Sequence, residues 1–208
     1  MDSNSALPLE KVAEADLPTE FGAFRIYGFR SCVRRPGQDP AEEAVALRMG
    51  DVAGAPPLVR IHSQCLTGDV FHSLRCDCRA QLEIAIESIA NERRGLLIYE
   101  NQEGRGIGLL NKLRAYELQD GGADTVEANE QLGFDSDLRS YALPGAILRY
   151  FGLREIRLLS NNPGKVEAVE SAGVRVVERV PCLAHVVGTR EAYLRTKKEK
   201  MGHLLEGL

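Results

Sequence analysis

Three of the five cysteines fall within fourteen residues, between a predicted strand and a predicted helix. Cys65, Cys76 and Cys78 have no fourth cysteine close by, whereas closed structural zinc sites usually take four ligands from two paired knuckles. Three protein ligands leave one coordination position for water, which is the catalytic arrangement. Spacing alone leaves two alternatives open: ordinary buried thiols, or a site completed by His62 or His72.

The composition excludes several classes of protein. Hydrophobic residues make up 44% and charged residues 27% of the 208-residue chain, as in ordinary globular proteins. A net charge of −4 argues against a general nucleic-acid binder, which would show a basic excess. No apolar run approaches the roughly 20 residues that span a bilayer, and no signal peptide is visible. We therefore expect no nucleic-acid or membrane partner and a cytoplasmic location, where thiols stay reduced.

The order of predicted elements indicates a mixed α/β (α+β) fold with one domain over residues 1–208. Residues 22–34 and 43–49 alternate apolar and polar side chains, which predicts an antiparallel meander near the N-terminus. Residues 1–15 and 196–208 are expected to be peripheral. Several strand-loop-helix units follow the meander, with strands predicted at 58–62, 95–99, 155–159 and 174–178, and helices after Cys78, at 109–119 and after Asn162.

The predicted helix after Cys78 bears on the chemistry of the cysteines. With Asp77 as its N-cap, Cys76 and Cys78 lie at the helix N-terminus, whose dipole favours thiolate over thiol. A carboxylate near a metal-bound water would help to move its proton. The candidate carboxylates are Asp69, Asp77, Glu103 and Asp137.

Two further segments have features of anion binding. The loop 103–108 contains three glycines and Arg105, and Lys165 lies in the first turn of the helix after Asn162. Neither segment matches the Rossmann or P-loop pattern, and a tight turn is an alternative for the first. The residues alone therefore indicate a metal-dependent hydrolase that acts on a small anionic substrate.

Taken together, eight segments resemble the GTP cyclohydrolase II family, the first enzyme of riboflavin biosynthesis. They occur in the family's order and span most of the chain, which makes the joint pattern specific. The matching runs are 60–69, 73–78, 102–105, 108–112, 124–129, 131–134, 161–163 and 200–205.

The resemblance implies a reaction and its cofactors. GTP and water would give 2,5-diamino-6-ribosylamino-4(3H)-pyrimidinone 5′-phosphate, formate and diphosphate. One Zn²⁺ per chain would bind Cys65, Cys76 and Cys78, Mg²⁺ would accompany the substrate phosphates, and the protein would be a homodimer. Two alternatives stay open: a paralogous cyclohydrolase that serves a purine-derived secondary pathway or stops at the formamidopyrimidine, and a non-catalytic zinc-stabilised module that binds nucleotides.

The resemblance also implies roles for individual residues. Asp137 matches the family's general base, Arg139 the residue proposed as nucleophile toward the α-phosphorus, and Tyr116 a tyrosine near the reacting carbon. Because guanidinium stays protonated, binding the charge of the transition state is the better physical role for Arg139. The implied substrate-binding residues are Arg60, Ile61, His62, Ser63, Gln64, Gln81, Glu103, Gly104, Arg105, Thr125, Ser160 and Lys165.

Two details refine this expectation. We expect the Glu103 carboxylate to accept the N1–H and 2-amino protons of guanine. Three positions depart from the family's usual pattern: Gln64 replaces Glu, His72 replaces Gly and Arg79 replaces Gly. The first removes a charge beside Cys65 and the last adds the opposite charge, so the two changes either compensate or alter the pocket.

Overall fold

The computed structural model describes residues 7–32, 42–135 and 137–183. Its strands are β1 (Leu9–Thr19), β2 (Gly22–Ser31), β3 (Glu43–Met49), β4 (Leu58–Ser63), β5 (Gly95–Glu100), β6 (Glu155–Leu159) and β7 (Arg175–Val180). Its α-helices are α1 (Cys78–Glu92), α2 (Leu109–Asp120), α3 (Thr125–Gln131), α4 (Ala142–Tyr150) and α5 (Pro163–Ser171). Two short turns complete the elements, a π-helical turn at Leu66–Val70 and a 3₁₀ turn at Glu103–Gly106.

The strands form one mixed sheet in the order β1-β2-β3-β5-β4-β6-β7. The pairs β1–β2, β2–β3 and β3–β5 are antiparallel, and β5, β4, β6 and β7 are parallel to one another. This confirms the predicted mixed α/β fold with its N-terminal antiparallel meander. The carboxyl ends of β4, β5 and β6 meet at one edge of the sheet, where ligands bind in open α/β folds.

The two faces of the sheet carry separate apolar clusters, because successive side chains of a strand point to opposite sides. Val59, Ile61 and Ile98 lie in the larger cluster, which includes the buried side of α4. Leu58 and Leu97 lie in the smaller cluster with α1. The same alternation puts the buried side chains of Arg60 and His62 on the α1 side.

Several local predictions need correction or completion. Asp77 occupies the N-cap position of α1 but makes no capping bond with its side chain, and its Oδ2 accepts a hydrogen bond from Gln81 Nε2 instead (2.5 Å). Strand β1 and helices α3 and α4 had not been predicted. Residues 9–15 belong to β1, the edge strand beside β2, whereas residues 196–208 lie outside the described ranges.

Within these described ranges, none of the helices combines the length and the apolar character that crossing a membrane requires.

Replacing Ile98 by Ala should test the larger cluster. Ile98 is fully buried in β5, so we expect a loss of about 2–5 kcal/mol of unfolding free energy, measured by urea denaturation. Val12→Ala on the exposed side of β1 is the control, and its effect should stay within about 0.5 kcal/mol. Equal small losses in both variants would show that this cluster does not stabilise the fold.

Candidate active site at the carboxyl edge of the sheet

A cleft opens at the carboxyl ends of β4, β5 and β6. Most of the predicted site residues line it. They are Arg60, His62, Ser63, Gln64, Cys65, Cys76, Cys78, Gln81, Glu103, Gly104, Arg105, Tyr116, Arg139, Ser160 and Lys165. The structure thus brings together residues from six separate segments of the sequence.

Among the predicted residues whose side chains are described, Ile61 and Asp137 do not line the walls of the cleft. The side chain of Ile61 is buried in the cluster on the opposite face, and only its carbonyl reaches the site, where it accepts a hydrogen bond from Lys165 Nζ (2.8 Å). The Asp137 carboxylate accepts a hydrogen bond from Arg139 Nε (2.8 Å), and Arg139 itself lines the cleft. Thr125 begins α3, and its side chain is outside the described part of the structure.

The three cysteine sulfurs converge at one side of the cleft. Cys65 follows β4, Cys76 lies in the next loop, and Cys78 begins α1. Their Sγ atoms all lie within 4.8 Å of one another, and Cys65 and Cys76 are 3.7 Å apart. Among the described residues, this is the one group of three or more such side chains close enough to share a metal ion.

Neither candidate histidine joins the sulfurs. His62 Nε2 lies 3.2 Å from Asp69 Oδ1, and His72 Nε2 lies 3.2 Å from Arg79 Nη1. Neither imidazole belongs to the group of side chains that could share a metal ion, so the arrangement favours three protein ligands over four.

The residues around the sulfurs fit a zinc ion. Thiolates are soft ligands that suit Zn²⁺, and three of them leave a coordination position open. Gly68, in the π-helical turn, leaves the necessary room, because a Cβ there would lie 2.8 Å from Cys76 Sγ and 3.1 Å from Cys65 Sγ. Hydrogen bonds from Cys76 and Cys78, with the charge of Lys112, lower the pKa of Cys65, whereas the hydrogen bond to Cys65 raises the pKa of Cys76 to about 11.

A buried polar network holds Cys65 in place. Asp69 Oδ2 accepts hydrogen bonds from the Cys65 backbone N–H (3.1 Å) and the Tyr99 hydroxyl (2.8 Å). Burial lowers the pKa of His62, so its neutral ring donates from Nε2 to Asp69 and accepts at Nδ1 from Arg60 Nη2 (3.4 Å). Both ring nitrogens of His62 are therefore hydrogen-bonded within the protein, which indicates a structural role for this residue.

The lining of the cleft also includes buried cations. Arg60 and Lys165 are each 5% exposed, and the Arg60 guanidinium donates to Gln81 Oε1 (2.7 Å) and to the Leu159 carbonyl (3.0 Å). Burial, and then the charges of Arg60 and Arg139, hold the pKa of Lys165 well below its usual value. Burial also raises the pKa of Glu100 despite these cations. An anion bound here would relieve the mutual repulsion of the cations.

Arg139 reaches this region from the loop before α4. Its guanidinium makes two parallel hydrogen bonds to the Asp137 carboxylate, which outweigh burial and lower the pKa of Asp137. Gln102 fixes the same loop, because its Oε1 accepts from the Ser140 N–H (2.8 Å) and its Nε2 donates to the Ser140 carbonyl. Sequence reasoning missed Gln102, whose partner is remote in the chain.

The glycine-containing loop brings its backbone into an unusual conformation. Both Gly104 and Arg105 have left-handed backbone angles, with φ of 62° and 59°, and such a φ is uncommon for a residue with a side chain. Arg105 Nη1 is buried and has no hydrogen-bond partner among the described residues. The loop thus presents an unsatisfied donor at the cleft.

Helix α2 supplies the predicted Tyr116 and one cleft residue that was not predicted, Lys112. Lys112 and Tyr116 are four positions apart and share one helical face, which lines the cleft. Tyr116 Oη lies 3.1 Å from Thr67 Oγ1, and Lys112 Nζ lies 3.2 Å from Cys65 Sγ. The helical spacing from the predicted Tyr116 could have identified Lys112.

Two of the three departures from the family pattern are in contact. His72 has φ 56°, which explains why glycine suits this position. Arg79 Nη1 lies within hydrogen-bond distance of both His72 Nε2 (3.2 Å) and the Asp69 carbonyl (2.9 Å). Arg79 therefore ties the metal-side loop to the start of α1, while Gln64 lines the cleft.

The fold and the site define a class of protein: a mixed α/β protein with a group of three cysteines that could hold a metal ion in a cleft that also contains buried cations. The sequence model of GTP cyclohydrolase II matches residues 10–181, and the chain belongs to this family.

Comparisons with individual proteins agree with this assignment. GTP cyclohydrolase-2 of Pseudomonas paraeruginosa is 55% identical over 198 residues, which cover 95% of this chain and 94% of that protein. GTP cyclohydrolase-2 of Escherichia coli O9:H4 is 52% identical over 200 residues, covering 96% and 99%. The crystal structure of RibBX, a two-domain 3,4-dihydroxy-2-butanone 4-phosphate synthase from A. baumannii, has a TM-score of 0.50 at 18% identity, covering 87% of this chain and 42% of that one. This last likeness shows the fold alone.

Gly68→Ala should weaken zinc binding by about 10–100-fold, the range for disturbing the surroundings of metal ligands, because the new methyl group meets two sulfurs. Chelator competition measures the affinity. Gly133→Ala is the control: its φ of 78° makes the substitution cost about 1–2 kcal/mol of stability, but no atom within 4 Å obstructs it. Wild-type zinc affinity in Gly68→Ala would contradict the assignment of this cradle.

Proposed function

We propose that this chain hydrolyses GTP to 2,5-diamino-6-ribosylamino-4(3H)-pyrimidinone 5′-phosphate, formate and diphosphate, the first step of riboflavin biosynthesis. The observation that carries the proposal is the lining of one cleft, which combines the three sulfurs with the cations Arg60, Lys165 and Arg139. Such a cleft accommodates a nucleotide with its base beside the metal and its phosphates beside the cations. Family membership supports the same reaction.

A zinc ion held by Cys65, Cys76 and Cys78 would supply Lewis-acid activation of water for hydrolysis at C8. Tyr116 lines the cleft, and its hydroxyl lies 3.1 Å from Thr67 Oγ1, which is 3.7 Å from Cys65 Sγ. We assign Tyr116 to orienting the purine ring for this attack. Its retained hydroxyl also supports the complete reaction over arrest at the formamidopyrimidine.

Arg139 is best assigned to binding charge at the α-phosphate. The Arg139 guanidinium makes two hydrogen bonds to the Asp137 carboxylate, and these bonds fix the plane of the guanidinium. They also outweigh burial and raise the pKa of Arg139, so the guanidinium stays protonated. A protonated guanidinium is a poor nucleophile but stabilises the negative charge that develops as diphosphate leaves. Asp137 would then orient Arg139 in addition to any role as a base.

Magnesium would enter with the phosphates. No second group of three metal-binding side chains occurs within the ranges that the structure describes, and Mg²⁺ in nucleotide sites is commonly held by the phosphates themselves. We further propose that the protein acts as a homodimer in the cytoplasm, as the family resemblance implies.

Product analysis tests the proposal directly. Zinc-loaded protein with GTP and Mg²⁺ should release about one formate and one diphosphate per GTP consumed, by the stoichiometry of the proposed reaction. Cys65→Ser should abolish formate release, because the ion loses a ligand. The matched control is Cys32→Ser at an exposed cysteine, which should remain active. GTP consumption without formate would assign the arrested reaction, binding without consumption would assign a non-catalytic module, and full activity of Cys65→Ser would overturn the metal assignment.

Binding of GTP should draw a proton onto Lys165. In the free protein its lowered pKa leaves Lys165 partly neutral at alkaline pH, and bound phosphate favours the charged form. Proton uptake should therefore grow as pH rises through the free-protein pKa toward the ordinary value of 10.5. Calorimetry in buffers of different ionisation enthalpy, in the inactive Cys65→Ser background, measures this uptake. Adding Lys165→Met should remove the rise; the same uptake with and without Lys165 would refute this account.

A further inference from the structure

Lys112 lies between the metal-binding side of the cleft and the glycine-containing loop. Its side chain is only 12% exposed, and its Nζ donates hydrogen bonds to Glu103 Oε1 (2.6 Å) and Cys65 Sγ (3.2 Å). Lys112 is thus a cationic side chain that donates a hydrogen bond to a sulfur of the cysteine group. One ammonium group therefore touches both a carboxylate and a metal ligand.

Glu103 completes this arrangement from the other side. Its Oε2 accepts a hydrogen bond from the backbone N–H of Leu66 (2.6 Å), and its Oε1 accepts from the backbone N–H of Gly104 (3.0 Å) as well as from Lys112. Leu66 directly follows Cys65, so Glu103 holds the backbone after the ligand while Lys112 contacts the ligand sulfur. Three of the roughly four lone-pair positions of the carboxylate are thus used within the protein.

Electrostatics accounts for the pairing of Lys112 with Glu103. A divalent ion with three thiolates carries a formal charge of −1, and the Glu103 carboxylate adds a second negative charge in a buried region. Burying uncompensated charge is costly, and Lys112 supplies the positive charge next to both groups. A hydrogen bond from Lys112 also reduces the electron density on Cys65 Sγ, which alters how strongly this ligand donates to a metal.

We propose that Lys112 and Glu103 are positioning residues that hold Cys65 in its ligating geometry and tune its sulfur as a donor. The pair acts through Cys65 and need not touch substrate. The inference rests on the proposed function only in expecting a metal at the cysteines. Its test measures metal binding without GTP. The measured metal affinity would therefore be interpretable even if the proposed GTP reaction did not occur.

The first measurement uses Lys112→Met, which keeps the length of the side chain and removes its charge. We expect Zn²⁺ affinity, measured by chelator competition, to fall about 10–100-fold. In the Co²⁺-loaded protein, the sulfur-to-cobalt charge-transfer band should move to lower energy, because sulfur lone pairs rise when a cationic donor is removed. Arg114→Met is the matched control on an exposed face of the same helix and should change neither quantity.

Two conservative variants separate this role from general stability. Lys112→Arg keeps the charge and should recover most of the affinity. Lys112→Gln keeps a neutral donor and should give a smaller band shift than Lys112→Met, so it provides the spectrum if Lys112→Met does not fold. Unchanged affinity and an unchanged band in a folded Lys112→Met or Lys112→Gln protein would overturn the proposal.

Glu103→Gln tests the other member of the pair. If both residues act as one unit, combining Glu103→Gln with Lys112→Met should weaken Zn²⁺ binding by less than the product of the single effects. The variant should also lose activity with GTP and with ITP to the same extent. A loss confined to GTP with unchanged Zn²⁺ affinity would overturn the proposal and assign the carboxylate to guanine, as the sequence analysis expected.

Discussion

The convergence of three sulfurs on one point is the constraint around which this site is built. The ligands come from the chain after a central strand, from a loop and from the first residue of a helix, so no single element could bring them together. Asp69 fixes Cys65 by accepting a hydrogen bond from the backbone N–H of that cysteine. Gly68 leaves the space that the sulfurs need. The other parts of the cleft are arranged around this group of three sulfurs.

The parallel half of the sheet provides the second organising element. Strands β4, β5 and β6 end side by side, and each contributes to the cleft just beyond its last residue. Alternation along β4 then divides its side chains, so that Arg60 and His62 face the site while Ile61 fills the core. A single strand thereby serves stability and binding at once.

Much of this could be predicted from the sequence, for identifiable reasons. Cysteines are rare and their spacing is informative, so the sequence already indicated that Cys65, Cys76 and Cys78 could form one group, which the structure brings together. Alternation and glycine positions were enough for β2 to β7 except at their boundaries. Strand β1 could not be predicted because most of its side chains are exposed on both faces, and its stability comes from pairing with β2. The link between Gln102 and Ser140 joins distant segments, and no local pattern indicates it. Lys112 could have been predicted from helical spacing, because it lies one helical turn before Tyr116.

The crowding of cations in the cleft has a consequence for selectivity. Arg60, Lys165 and Arg139 are held near one another by the protein itself, so their repulsion is already present before anything enters. A nucleoside brings no charge to relieve that repulsion, a monophosphate relieves it in part, and a triphosphate relieves it most. Electrostatics therefore ranks ligands by the length of their phosphate chain, independently of any contact that recognises the base.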